Sequence, residues 1–195
     1  MSLAVPAIIT DDAREFYLQF VFGGLGPVPG TPTVANTTWD SRLKFFRVGE
    51  GGWTTAGLSR VQRTPLSTLR RYDTNVHDID ARVDTTRLAA GQPERYEGNP
   101  LSANYSRGSY QKSLAPGDIT VVSPRKIQVD CTLGAGEFNE DSVGSGRSPE
   151  LWEIALFADH PTLPGEHLMV AYGTFPQAAV KTGAAALPIR VYLTL

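Results

Sequence analysis

The stretch from Glu150 to Leu195 constrains the fold more than any other part of this chain. Three apolar runs follow one another there, ELWEIALFAD, HLMVAYGTFP and LPIRVYLTL, separated by the turn HPTLPG and a short Gly/Ala-rich link. Within each run apolar side chains recur at every second position, which is the period of a β-strand. The stretch therefore predicts three closely spaced β-strands.

Two further runs extend the strand pattern toward the N-terminus. Residues 126–133 alternate strictly between polar and apolar side chains, with Cys131 on the apolar side. RLKFFRV, residues 42–48, predicts another strand, and its apolar phase shifts between Phe45 and Phe46, which indicates a β-bulge. We expect an α+β, mainly β fold with an antiparallel, sandwich-like core.

Residues 7–22 fit two structures. A helix would be capped by Thr10 or Asp11 and would stop at the Gly pair that follows. A strand would bring the alternating aromatic and aliphatic side chains of residues 16–22 onto one face, and their aromatic content favours this alternative. The sequence thus leaves open whether 11–22 form one short N-terminal helix or a strand.

Turn-forming residues are frequent in this chain of 195 residues, which contains 19 Gly and 14 Pro. They concentrate in residues 23–41, which predicts a long Gly/Pro-rich loop. Residues 71–118 show little periodicity and are predicted to form an insertion that extends as an arm. We expect a single domain over 1–195, because chains of this length usually form one. Its core would comprise 7–70 and 119–195.

Charge and hydropathy exclude several classes of function. With a formal net charge of −2, the chain lacks the excess of basic residues that nucleic-acid-binding proteins usually have. No apolar run approaches the roughly 20 residues that a membrane-spanning helix needs, and the N-terminus has neither a charged leader nor a cleavage site. Cys131 is the single cysteine, which excludes an intrachain disulfide. We therefore expect no nucleic-acid partner, no membrane partner and synthesis in a cytoplasm.

Charge is distributed unevenly along the chain. Residues 42–71 contain seven basic residues and one acid, Glu50, whereas residues 130–166 contain eight acids and one base, Arg147. Opposite charges on two parts of one surface would suit packing against neighbouring copies or partners. Internal pairing and solvated loops would account for the same distribution.

Residue types that carry catalysis or metal binding are present without the spacing that such sites need. His160 and His167 flank a turn, but a metal site there would require further ligands from elsewhere. The acidic run over 73–84 does not follow the spacing of a calcium loop. Glu150 and Glu153 could form a glycosidase pair, yet nothing places them across a sugar. We expect no catalytic residue, no cofactor, no metal and no enzymatic activity.

Candidate contact residues come from the basic segment and from the arm. Arg and Tyr side chains are the types that protein and carbohydrate interfaces favour. The candidates are Arg60, Arg63, Arg70, Arg71, Tyr96, Tyr105 and Tyr110. For the tyrosines two hypotheses stand side by side: they bind a sugar or protein partner, or they pack the arm onto its own domain or onto a neighbour.

Both ends of the chain carry motifs of one protein family. AIIT is followed by RLKFFRVGEGG and then by a Thr-Pro-Leu-x-x-Leu-Arg element at Thr64–Arg70. Toward the C-terminus, KIQVDCTLGAGEF, ELWEIALFAD, HLMVAYGTFP and LPIRVYLTL follow in this order. In motif and order these segments resemble the N-terminal, baseplate-attachment domain of collar-type tail-fibre proteins of bacteriophages, with Glu50 where the family's turn has Asp. The resemblance covers roughly 7–70 and 125–195.

The resemblance implies attachment rather than catalysis. Such domains anchor a fibre to a tail or baseplate, usually as trimers. The resemblance therefore implies a homotrimer that contacts other phage tail, baseplate or fibre proteins. It also implies location in the virion after synthesis in the host bacterial cytoplasm.

Two details of the resemblance refine the expected role. In the family the segment at 11–22 would be helical, and a fibre shaft would follow where this chain reaches Leu195. We therefore expect a baseplate protein or tail-fibre attachment adaptor of a phage or phage-like contractile tail. The alternative is a small carbohydrate-binding β module involved in host-surface recognition.

Overall fold

The structure, a computed structural model, describes nine ranges of the chain. They are residues 3–10, 13–14, 42–49, 53–56, 59–62, 105–106, 109–139, 148–159 and 167–194. Within these ranges the chain is mostly β-strand, which confirms the predicted mainly β fold. No helix among them is long and apolar enough to cross a membrane.

Eleven strands run through the described residues. They are β1 Leu3–Ile9, β2 Leu43–Gly49, β3 Trp53–Ala56, β4 Ser59–Gln62, β5 Tyr105–Ser106, β6 Ser109–Ser113, β7 Ile119–Ser123, β8 Lys126–Leu133, β9 Glu150–Asp159, β10 His167–Val180 and β11 Leu187–Thr194. A short 3-10 turn, Pro116–Asp118, precedes β7. The strands predicted at 42–48, at 126–133 and within Glu150–Leu195 are thus confirmed.

Nine strands form one curled mixed sheet in the order β5-β6-β2-β9-β10-β1-β11-β8-β7, and β3 pairs with β4 in a separate ribbon. β1 runs parallel to β11, with Leu3 opposite Ile189. All other described strand pairs are antiparallel. The predicted antiparallel core is therefore correct except at β1, which lies between two C-terminal strands.

β1 divides the sheet into two parts. Leu3–Ala7 pair with β11, whereas Ile8 and Ile9 pair with β10. We call β5-β6-β2-β9-β10 the long half of the sheet and β11-β8-β7 the short half. Two register shifts between β9 and β10, after Met169 and after Thr174, add local bends to the long half.

The hydrophobic core lies between the two halves, as expected for a sandwich-like arrangement. Its inward side chains are buried and come from strands of both halves: Phe46, Val48, Ile154 and Leu156 from the long half, and Val129, Cys131, Ile189 and Val191 from the short half. Removal of this apolar surface from water is the main favourable contribution to folding.

The long half is buried on its second face as well. Every residue of β9 from Leu151 to Ala158 is buried, and Phe45, Phe157 and Tyr172 cluster on the face turned away from the core. Phe45 and Phe46 are therefore both buried, one on each face of β2. The bulge predicted between Phe45 and Phe46 is not found there, because burial on both faces accounts for the two adjacent apolar residues. The register irregularity in the pairing of β2 with β9 lies between Leu43 and Phe45.

Thr10 ends β1 and begins a helical turn. The Ala13 N–H donates to Thr10 Oγ1 at 3.3 Å, and the Arg14 N–H donates to the Thr10 carbonyl at 3.0 Å. These are the bonds of an N-capped first turn. The remainder of 11–22 lies outside the described residues, so its assignment as helix or strand stays a prediction.

The arm predicted over 71–118 includes a strand of the sheet near its C-terminal end. β6 pairs with β2 from Gly49 opposite Ser109 to Phe45 opposite Ser113, so this strand belongs to the sheet. Its polar sequence, SYQKS, contains no apolar alternation that would have revealed it. The rest of the arm before residue 105 and the loop at 23–41 lie outside the described residues.

Candidate interaction surface

Arg47 lies on the outer face of the long half, the face turned away from the core. Its guanidinium carbon is 5.4 Å from the ring centroid of Phe45 and 5.1 Å from that of Phe157. The two rings are stacked 4.9 Å apart, and Arg47 Nε donates to Gln111 Oε1 at 2.9 Å. A cation over aromatic faces is attracted by the ring quadrupole. These contacts hold Arg47 in one orientation.

Glu153 is fully buried on the same face. Tyr172 Oη donates to its carboxylate at 2.7 Å, which offsets part of the cost of removing a carboxylate from water. Nearby, Gln62 Nε2 donates to both the carbonyl and the hydroxyl of Thr174, each at 2.9 Å. These bonds attach the β3–β4 ribbon to β10.

Charged side chains meet at the end of the β9–β10 pair. Lys44 Nζ and His167 Nδ1 lie 3.6 and 4.0 Å from carboxylate oxygens of Asp159. His160, the other histidine considered as a metal ligand, lies outside the described residues. In the part of the chain that the structure describes, no group of three or more His, Cys, Asp and Glu side chains could hold a metal ion. The described geometry is that of an ion-paired strand end.

A second polar cluster, centred on Glu137, connects the two halves of the sheet. Glu137 follows β8, and its Oε2 accepts from Lys112 Nζ of β6 at 2.7 Å and from the Gly134 N–H at 2.6 Å. Burial opposes ionisation of Glu137. The hydrogen bonds from Lys112 and Gly134, with the charges of Lys112 and Lys181, outweigh burial and lower the pKa of this carboxyl. An ionised Glu137 therefore fixes the segment after β8 against β6.

The same segment is held from a second side by buried groups. Lys181 is 1% exposed, and its Nζ donates to the Ala135 carbonyl at 3.0 Å. Phe138 has a left-handed backbone with a φ of 46°, which costs roughly 1 kcal/mol or more in a residue other than glycine. Its ring is fully buried, with its centroid 6.1 Å from that of Tyr110. Burial of the ring and the Lys181 bond maintain this strained conformation.

The predicted contact residues are only partly described. Arg63, Arg70, Arg71 and Tyr96 lie outside the described residues. Arg60 lies in β4 with its backbone opposite Thr55, and Tyr105 lies in β5 opposite Tyr110. The structure places Tyr105 beside Tyr110 in one strand pair and brings no other two of these residues together within the described ranges.

Tyr110 corrects the prediction of an exposed contact surface. Its side chain is 8% exposed and belongs to the core between the two halves. Burial, together with the charge of Glu137 and a hydrogen bond to it, raises the pKa of the Tyr110 hydroxyl. At this position the second hypothesis is correct, because Tyr110 packs its segment onto its own domain.

The residues considered for catalysis lie in unsuitable positions. Glu150 and Glu153 are separated by an odd number of positions on β9, so their side chains point to opposite faces of the sheet. Cys131 is fully buried, and burial, reinforced by the charges of Asp118 and Asp130, raises the pKa of its thiol far above the ordinary value. A buried thiol of this kind is a poor nucleophile.

β7 is an exposed edge strand that the sequence pattern did not reveal. It ends the nine-stranded sheet, and Val121 and Val122 are 72% and 52% exposed. An apolar run as short as ITVVS reads equally well as a buried strand. The described part of the chain thus offers an open strand edge at β7.

No protein-family model matches this chain, and no curated protein or solved structure matches it. The likeness to tail-fibre attachment domains therefore rests on the sequence motifs. What the fold adds is the position of those motifs in the sheet.

Proposed function

We propose that this protein is a structural, non-enzymatic component of a bacteriophage tail or phage-like contractile tail, acting as a baseplate protein or tail-fibre attachment adaptor. One observation carries the proposal. The resembling segments that the structure describes lie on β2, β9, β10, β1, β11 and β8, and these six strands are consecutive neighbours in the sheet. Chance matches would have no reason to be contiguous in space.

The remaining described strands lie at the margins of this six-stranded block. β5 and β6 flank it on one side and β7 on the other. In such an arrangement the shared block forms the rigid scaffold, and the flanking strands and loops vary from protein to protein. The partners in this proposal are other tail, baseplate or fibre proteins and further copies of the chain, assembled as a homotrimer in the virion.

Mass spectrometry of purified particles tests the proposal. Particles purified successively by density gradient and by size exclusion should retain this chain at a constant ratio to the tail-tube protein. An abundant cytosolic protein of the host, which should fall away at each step, is the control. If the chain is abundant in the lysate but is lost with that control, it is not a tail component.

Disruption of the gene gives a second, independent readout. Particles made without the chain should show tails that lack fibres or an intact baseplate by negative-stain electron microscopy, and the chain supplied in trans should restore them. Unchanged, fully infective particles would contradict the proposal. The carbohydrate-binding alternative has no supporting observation among the described residues, because Tyr110 is buried.

A further inference from the structure

β7 carries the features of an unprotected sheet edge. It pairs with β8 on one side, from Ile119 opposite Val129 to Ser123 opposite Lys126, and no other described strand pairs with it. Such an edge presents backbone N–H and C=O groups that can pair with another chain, and proteins usually protect it with charged residues or proline. The sequence of β7, ITVVS, contains neither.

The side chains of β7 add an apolar surface to this edge. Val121 and Val122 are 72% and 52% exposed, and together with Val180 they are the large apolar side chains exposed most among the described residues. Two adjacent exposed valines on a strand edge are unfavourable in water and favourable in a contact that covers them. The strand is therefore suited to an apolar, strand-like occupant.

The charges at the two ends of β7 indicate which chain pairs with this edge. Asp118 precedes the strand and is partly exposed, and Arg125 follows it and is exposed. The order acid, apolar strand, base is complementary to itself when two copies run antiparallel, because each Asp118 then comes near the other copy's Arg125. In a parallel arrangement like charges would meet. The β7 of a second copy of this chain therefore has the charges and the apolar side chains that complement this edge.

We propose that β7 is a self-association site, at which two copies of this chain pair their β7 strands antiparallel across a twofold axis. The sheet then continues from one copy into the next, as in other interfaces formed by strand addition. The register shift between Val121 and Ser123 leaves Val122 as a bulged residue and confines regular pairing to part of the strand. This inference does not depend on the proposed function.

The size of the contact sets its strength. A strand of five residues forms an interface at the small end of the observed range, below roughly 1,200 Å² in total. We therefore expect reversible association that depends on protein concentration and, because of the terminal charges, weakens with added salt.

Sedimentation velocity over a hundredfold range of protein concentration tests the association. The unmodified chain should pass from its basal species to twice that mass. The double variant Val121→Lys/Val122→Lys, which brings lysines together near the axis, should raise the dissociation constant at least about tenfold. Val180→Lys, at an exposed valine away from β7, should leave it unchanged. Circular dichroism melting curves would verify that each variant is folded.

A charge exchange tests the contact between the terminal charges, and the loss in each single variant tests the antiparallel orientation. Arg125→Asp places acid near acid, and Asp118→Lys places base near base, so each variant alone should associate less than the unmodified chain. An equimolar mixture of the two should recover association, because every terminal pair in a mixed dimer is attractive. Since Asp118 also accepts from the Ala115 N–H at 2.8 Å, the melting curve of its variant must be compared as well.

Cross-linking tests the position of the axis. The double variant Val121→Cys/Val122→Cys should form a disulfide-linked dimer under mild oxidation, because the register that pairs Asp118 with Arg125 sets Val121 opposite Val122 of the other copy. Val180→Cys should not, and the buried native Cys131 should stay unmodified in both. The proposal is overturned by a single mass at all concentrations, by no loss with the lysine pair, by no recovery in the mixture, or by equal cross-linking of the two cysteine variants. None of these results bears on whether the chain is present in particles.

Discussion

β9 and β8 have similar sequence patterns but differ in how they are buried. On β9, Ile154 and Leu156 face the core, and the alternating residues Ala155 and Phe157 are buried as well. On β8, the residues that alternate with Val129, Cys131 and Leu133 are partly or largely exposed. The long half of the sheet is thus interior on both faces, whereas the short half has one face in water. The same strand pattern is therefore under different constraints in the two halves.

We expect the largest difference in stability between the two halves when one aromatic residue on the outer face of each half is replaced by alanine. Phe157 is 1% exposed and stacks on Phe45. Tyr192 is partly exposed, and Lys126 Nζ lies 4.2 Å from the centroid of its ring. We expect Phe157→Ala to lower the free energy of unfolding by about 3–5 kcal/mol and Tyr192→Ala by about 1 kcal/mol or less. Urea denaturation measures both. Equal losses would mean that the two outer faces are equally buried.

Gly173 tests how closely β10 packs against β1. A Cβ at this position would lie 2.8 Å from Val5 Cγ1 and 3.1 Å from the Pro6 carbonyl oxygen. We expect Gly173→Ala to destabilise the fold by about 1–3 kcal/mol, because the buried Val5 has little room to move. Gly117→Ala is the matched control, since nothing lies within 4 Å of its Cβ. A neutral Gly173→Ala would show that β1 is loosely held.

The link between the two halves through Glu137 should depend on pH. Its pKa is lowered in the folded state from the ordinary value of 4.5. The ionised group therefore stabilises the fold fully above that value, and the contribution is lost as the pH falls through the folded-state pKa. Glu137→Gln should cost roughly 1–2 kcal/mol at neutral pH, and the difference from the unmodified chain should shrink below about pH 4.5. Thermal unfolding from pH 3 to pH 7 would show a difference that grows toward low pH if this sign were wrong.

The smallest effect is expected at the ion pair on the outer face of the short half. Arg190 Nε lies 3.1 Å from Asp130 Oδ1, but the two side chains are 51% and 39% exposed. Exposed pairs contribute little because solvent and salt screen them. We expect Asp130→Asn to change the free energy of unfolding by about 0.5 kcal/mol or less in urea denaturation. A loss comparable to that of Glu137→Gln would contradict the contrast between the halves.

The half of the fold that is open to water was the easier half to predict. In β8 and β11 one face is polar, so alternation located the strands and assigned Cys131 to the inside. β9 and β2 were located correctly, but their burial on both faces did not follow from the pattern. Glu153 is fully buried on the outer face of β9, and the hydrogen bond that offsets the cost of its burial comes from Tyr172 on the neighbouring strand β10.

Other features depend on contacts that local sequence does not record. β6 is polar apart from Tyr110, and it is a strand because β2 offers it an edge. The Glu137 cluster joins Lys112 and Lys181, which are far apart in the sequence, so no spacing motif could indicate it. The sequence could not decide between the two hypotheses for Tyr110 for the same reason: its partner, Phe138, comes from another part of the chain.

The parallel pairing of β1 with β11 has a consequence for how the chain reaches this fold. Leu3 is opposite Ile189, so β1 cannot be paired on both sides until the chain has been synthesised through β11. Contacts so distant in sequence slow folding, because loop closure is costly before they form. We expect pulsed hydrogen exchange during refolding to find the β1 amides protected last. Until then β10 and β11 each have an unpaired edge. Insertion of the chain's own β1 between them competes with insertion of β1 from another newly made copy.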